Sequence, residues 1–259
     1  MNHGKGVDRK VLRRMKYISD QKGIMNRYLA EDDNWELHLE RTRNFIIGCL
    51  EKNIPESIAV LGSGWLLDIP FEYLVARIKT IYLVDIFHPP QIINKAENFP
   101  NVHLVQADVT GGAIEGAYNL VRNYKKSGKG SLLDIACQAT MGGEMAGFVV
   151  SLNLLNQLDI LLVDYVSRFI EIPREEKETF RKRIQQQHLE LLPAGRSCLI
   201  SDVEERVLNR NKKEVTTKRL TYTELPSGSK QEEWTWTFDT RGEYNKGHQT
   251  EMLVRAIRV

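Results

Sequence analysis

The residues best suited to chemistry stand at the ends of apolar runs. Gly62-Ser63-Gly64 closes the run Ile58–Leu61, Asp85 closes Ile81–Val84, and Asp108 closes Val102–Ala107. Glycines at such a turn let the backbone approach a ligand closely, a following helix start offers free N–H groups, and an acid after the next strand suits a ribose diol. Together they describe a site for a nucleotide-type cofactor. A dinucleotide fingerprint would need a further glycine at Leu67, so that pattern is incomplete.

The elements that must position these residues follow from periodicity. Ser57–Asp85 reads as one strand-helix-strand unit, with about a dozen residues of helical spacing after the glycine turn. Gln91–Asn98 reads as a helix, Val102–Asp108 as a third strand, Ala113–Lys125 as a helix, and Phe148–Asn153 as a fourth strand running into a helix over Leu154–Phe169. Pro173 opens another helix, with Glu175, Glu176 and Glu178 in the first turn where the helix dipole favours them, and Ser197–Ser201 is a fifth strand. Acids at two successive strand ends argue for a doubly wound, mostly parallel sheet with both carboxylates facing one crevice. The pattern then changes to loose alternation over Val215–Leu225, strict alternation over Glu233–Phe238 and a final strand at Met252–Val259, so the C-terminus is antiparallel. Trp234, Trp236 and Phe238 share one face, which a half-buried strand explains as core.

Before the first strand come two helices. Residues 8–30 carry apolar side chains at helical spacing around Gly23, where the helix is expected to split, and Asp33 with Glu36 suggests a capping box opening a helix that runs to about Asn53. The chain divides on this reading into an N-terminal helical extension, 1–54, and an α/β domain, 55–259. Gln138–Glu144 reads as a flexible connector or lid.

Composition narrows the classes. The 259 residues include 36 basic and 34 acidic ones, a net charge of +2, which gives no electrostatic case for nucleic acid or an anionic membrane. The apolar stretch Leu152–Val166 is interrupted by Asn153, Asn156, Gln157, Asp159 and Asp164 and is no membrane span. The three scattered cysteines read as reduced core thiols of a cytoplasmic protein, and neither a CxxC nor a spaced histidine pair indicates a metal site.

The wording VLGSGWLLDIP, YLVDIFHP, VHLVQADVT and VVSLNLLNQL, with the layout over residues 34–259, resembles the class I S-adenosylmethionine-dependent methyltransferases, and within them a group of bacterial methyltransferase-like proteins. The resemblance implies a Rossmann-like, seven-stranded, mostly parallel sheet with a C-terminal antiparallel hairpin, and S-adenosylmethionine as cofactor. It implies that Gly62, Ser63 and Gly64 pass beside the methionine part, that Asp85 with Ile86 holds the ribose, that Asp108 with Val109 receives the adenine, and that Ser151 and Asn153 face methyl donor and acceptor. Leu66 stands where the family fingerprint has its third glycine, and Val60 where many members have an acid. Asp68 could serve as the acid beside the cofactor amine or as a helix cap.

Methyl transfer from a sulfonium is an in-line displacement needing alignment, plus a base only where the acceptor has a proton to lose. Candidate groups at the acceptor are His38, Arg41, His88, Asn153, Asn156 and Gln157, with His38, His88 and Asn153 the catalytic candidates. No Asn-Pro-Pro-Tyr or Pro-Cys follows the fourth strand, which removes the grounds for base amino-methylation and for carbon-5 chemistry at cytosine. A small-molecule methyltransferase, possible also as a homodimer, is the leading reading. A non-catalytic ligand- or partner-binding protein of the same fold and a nicotinamide-dependent oxidoreductase are the alternatives.

Overall fold

A computed structural model describes residues 6–51, 53–138 and 146–259. Among these residues eight strands form one sheet: β1 (Ser57–Leu61), β2 (Thr80–Asp85), β3 (Val102–Gln106), β4 (Phe148–Leu152), β5 (Ser197–Leu208), β6 (Glu214–Arg219), β7 (Lys230–Asp239) and β8 (Gln249–Arg258). Their order is β3-β2-β1-β4-β5-β8-β7, with β6 paired to the far half of β5. The first five strands are mutually parallel, while β8 lies antiparallel on β5 and β7 antiparallel on β8. The expected seven-stranded path with its antiparallel edge is therefore present, and β6 adds an eighth strand where only loose alternation was legible. The central β1 and β4 are almost wholly apolar and buried because helices cover both of their faces.

Among the described residues eight helices supply that cover: α1 (Arg9–Arg14), α2 (Tyr17–Glu31), α3 (Glu36–Leu50), α4 (Phe71–Arg77), α5 (Pro90–Ala96), α6 (Ala113–Ser127), α7 (Ile160–Ser167) and α8 (Arg174–Leu189). On one face Phe45, Ile46 and Leu50 of α3 and Phe71 and Leu74 of α4 pack with Ile58, Val60, Ile81 and Leu83. Towards the other face Leu12 of α1 and Met15 just beyond it join Ala117 of α6, Val166 of α7 and Phe180 of α8. The N-terminal helices thus share the cores of the sheet. Among the described residues no helix is long and apolar enough to cross a membrane, and all three cysteines are buried and free.

Several boundaries differ from expectation for local reasons. The first helical stretch breaks at Lys16, which has φ +74, and not at Gly23, which sits inside α2 with open space where a Cβ would be. No capping box forms at Asp33 and Glu36. A single 3₁₀ turn, Asp32–Trp35, carries the chain from α2 into α3, so α3 has no open N-terminus to cap. After the glycine turn the helix is confined to Phe71–Arg77, because Leu66 takes φ +60 and Pro70 cannot lie inside a helix. The helix expected over Leu154–Phe169 likewise shortens to Ile160–Ser167, after turns. Beyond Gln138, the expected connector or lid lies outside the described residues.

Candidate functional site

The strand order reverses between β1 and β4, and at such a switch point the loops leaving the two strands diverge and open a crevice. Gly62 follows β1 directly there. It has φ +81, and a Cβ on it would lie 2.6 Å from the backbone oxygen of Leu152 at the end of β4, so only glycine fits. The Gly62 and Ser63 amides donate to the Val84 carbonyl, and the Gly64 amide donates to Asp85 Oδ2 at 2.8 Å. Leu66, at the position of the missing third glycine, keeps the left-handed conformation a glycine would take, while its side chain goes into the core. That leaves a cavity of about 550 Å³ beyond the strand ends, roofed by α2 and α3.

Asp85 and Asp108 both line this cavity, as do Ile86 and Val109 beside them. Asp85 accepts from Gly64, from Gln21 Nε2 at 3.3 Å and from the Phe87 amide at 3.3 Å. Asp108 accepts from the Thr110 amide and hydroxyl and from the Gly112 amide. Burial raises both carboxyls above their ordinary value, against these hydrogen bonds. Helix α2 is tied over this end, since Trp65 Nε1 donates to the Gln21 carbonyl at 2.7 Å and Gln21 Nε2 to the Phe87 carbonyl at 2.7 Å.

The opposite end combines acids, amides and aromatic rings. Asp68 is no helix cap: α4 begins later, at Phe71, and Asp68 instead accepts from Asn153 Nδ2 at 2.7 Å inside the cavity. Asn153 has φ +46, a conformation asparagine tolerates, and its Oδ1 is buried without a partner. Asp202 stands at a bulge, where β5 shifts register on β8 between Asp202 and Glu204. Its Oδ2 takes a long bond of 3.4 Å from Asn156 Nδ2, and its buried Oδ1 has no partner. Burial pushes Asp68 up to about 6 and Asp202 up to about 7, the latter helped by the neighbouring Asp68 and Glu205 carboxylates.

His38 lines the same end, stacked on Trp236 with ring centres 3.9 Å apart. The Trp234 indole N–H can only donate, so His38 Nδ1, at 3.1 Å, accepts and the ring proton sits on Nε2. Burial pushes the imidazole down to about 3. His38 is therefore a neutral hydrogen-bond donor and not a general base. Trp236 and Phe238 pack into the core as expected and also wall the cavity, with Tyr244 beside them.

Three expected site residues lie elsewhere. Ser151 points away from the cavity, because its place in β4 turns it to α8, where its hydroxyl pairs with His188 Nε2 at 2.7 Å. His88 is buried against the Val105 carbonyl at 3.3 Å and is not among the cavity-lining residues, since α5 starts at Pro90 and folds the segment back on β3. Arg41 also falls outside the lining, whereas Asn156 and Gln157 line it. Sequence reasoning missed Asp202 and the α2 residues Asp20, Gln21 and Arg27. Asp202 carried a readable signal, an acid directly after the expected strand Ser197–Ser201, although β5 runs on to Leu208; nothing in the periodicity of α2 marks its cavity face.

No family model and no curated protein matches the chain. Among solved structures, it is similar to the N-methyltransferase NodS of Bradyrhizobium japonicum WM9 in complex with S-adenosylhomocysteine, at 12% identity over 92% of this chain and 96% of that one, with a TM-score of 0.39. It is also similar to the 1,6-didemethyltoxoflavin-N1-methyltransferase of Burkholderia thailandensis, at 15% identity over 93% and 88% of the two chains, with a TM-score of 0.38. The strand order with its reversal at β1 and β4 and its antiparallel edge decides the architecture. The fold is a Rossmann-like, doubly wound α/β sheet with an antiparallel edge. Within it, the cavity occupies the crevice at the switch point, where open α/β sheets bind their ligands.

Proposed function

We propose that this chain is an S-adenosylmethionine-dependent methyltransferase acting on a small molecule. One observation carries the reading: acids at the ends of two neighbouring strands open, beside a glycine turn, onto a single cavity whose lining holds five aspartates against one arginine, Arg27. Nucleoside recognition accounts for Asp85 and Asp108, and the excess of carboxylate selects a cofactor with positive charge. S-adenosylmethionine supplies a methyl group on a sulfonium and carries an ammonium. A nicotinamide dinucleotide is disfavoured by the same lining, because its pyrophosphate meets carboxylates and no helix opens directly behind the glycine turn.

The residues present fit the cofactor. Asp85 receives three donors, two of them at 3.3 Å, and a carboxylate offers about four lone-pair sites, which leaves capacity for a ribose hydroxyl. Ile86, Val109 and Ile114 give apolar flanks for an adenine beside Asp108. Asp68, half-buried and held by one amide, suits the methionine ammonium, and the unpartnered Ser63 hydroxyl lies on the same path. The volume of about 550 Å³ and the roof of α2 and α3 suit a small acceptor and not a macromolecular one. Calorimetry tests this. S-adenosylhomocysteine should bind and NAD should not, and binding of NAD in its place, or of neither, would refute the assignment.

A further inference from the structure

We infer that the methyl acceptor is a small amine on a flat apolar body, whose nitrogen is bound as an ammonium by Asp202 and loses its proton to that carboxylate before attack. The inference deepens the methyltransferase reading above and rests on it. Its first support is a count of charge. Of the five aspartates lining the cavity, Asp85 and Asp108 are occupied by backbone amides and Asp20 is exposed on the rim. Asp68 and Asp202 remain, the first half-buried and the second buried, close enough to repel one another. S-adenosylmethionine carries one ammonium, which suits one of them, while its sulfonium charge is lost on methyl transfer and Arg27, the one guanidinium of the lining, lies over the Phe238 and Tyr244 rings. The other suits a second cation, which the acceptor can supply.

Geometry selects Asp202 for that role. Asp68 adjoins the glycine turn in sequence and is anchored by Asn153, whereas Asp202 has a buried oxygen with no partner and a single long bond on the other. The bulge that follows it inserts Val203 as an extra residue against β8, a device that re-aims side chains beside binding sites. Trp236, Phe238 and Tyr244 wall the same end of the cavity and give a flat apolar body a place to lie. Two further buried donors there lack partners, His38 Nε2 and Trp236 Nε1, and they suit a polar atom elsewhere on the acceptor. Burial together with Asp68 and Glu205 brings Asp202 to about 7, so it can hold or release a proton near neutrality; Tyr244, itself raised to about 12 by burial, feels the same carboxylate.

The step balances. The ammonium gives one proton to Asp202, leaving a neutral amine. Its lone pair forms the N–C bond as the C–S bond breaks, the sulfur keeps that bond's electron pair and becomes a neutral thioether, and the positive charge passes to the methylated nitrogen.

The test compares 2-phenylethylamine with its neutral isostere 2-phenylethanol by calorimetry at pH 8, with S-adenosylhomocysteine present. In the wild type the amine should bind at least tenfold more tightly, and Asp202→Asn should abolish the preference while changing S-adenosylhomocysteine affinity less than twofold. Equal binding of the two probes, no binding of the amine, or a preference that survives in Asp202→Asn would overturn the inference. Loss of S-adenosylhomocysteine binding in the wild type would instead overturn the methyltransferase reading, whatever the probes do. Should the variant not fold, carbon-13 titration of Asp202 in the wild type decides: saturating amine should lower its midpoint by at least one pH unit, and an unmoved midpoint overturns the proposal.

Discussion

The two ends of the cavity satisfy their carboxylates in opposite ways. At the glycine-turn end Asp85 and Asp108 are held by amides of the loops that follow β1, β2 and β3, and the unpartnered buried atoms there are neutral ones, among them Ser63 Oγ and Tyr17 Oη. At the aromatic end Asp202 keeps a carboxylate oxygen without a partner, next to unpartnered His38 Nε2 and Asn153 Oδ1. Backbone amides come free with any tight turn after a strand, so the first end is preorganised by local structure. The second end draws on β5, β7, β8, α2 and α3, and its polar groups are completed only by a ligand. A shared cofactor site and a specific acceptor site within one fold would differ in this way.

The largest effect that separates the two ends is in stability. Holding a carboxyl at about 7 instead of its ordinary 3.8 costs the ionised folded protein up to about 4 kcal/mol. Because the folded value is raised, the associated stability is full below the ordinary value and is lost as pH rises through about 7. Asp202→Asn is therefore predicted to gain stability relative to wild type at pH 8 and to gain little at pH 4, as measured by urea unfolding. A gain equal at both pH values would show that Asp202 is not strained by burial.

At the other end the sign of the effect on ligand binding is clear. Asp85→Ala removes the acceptor of the Gly64 amide along with the proposed ribose contacts, and S-adenosylhomocysteine affinity should fall roughly a hundredfold, about 3 kcal/mol. Binding within threefold of wild type would contradict the placement of the nucleoside there.

Ser151→Ala sharpens the boundary of the site. It strands His188 Nε2 inside the core and should cost about 1–3 kcal/mol of stability, with S-adenosylhomocysteine affinity unchanged. A selective loss of affinity would return Ser151 to the cofactor site. The smallest effect is expected at Leu66. Leu66→Gly relieves about 1 kcal/mol of left-handed strain but forfeits about 2 kcal/mol of apolar burial, for a net loss near 1 kcal/mol in thermal or urea unfolding. A net gain would mean that the leucine side chain adds nothing to the core.

Much of the architecture was legible because it is local. The apolar runs of β1, β2 and β4, the acids that end β2 and β3, and the strict alternation of Glu233–Phe238 are periodic signals that burial imposes on a chain. Gly62 was legible because its backbone conformation and its approach to β4 admit no other residue. Leu66, standing where the family fingerprint has its third glycine, shows the converse: the turn keeps its left-handed form and the side chain is absorbed by the core. Ser151 and His88 failed because strand direction alone does not say which face a side chain takes, and α8 and β3 supplied partners from 37 and 17 residues away.

By itself, then, the sequence determined the layered α/β order and the acids at its strand ends, since period and turn chemistry act over a few residues. Only the tertiary structure decided which of those acids share a cavity, that His38 is a neutral donor held by Trp234, and that Asp202 faces inward with an oxygen to spare. Those features depend on groups brought together across up to 196 residues of chain, where burial and not spacing sets protonation and partnership.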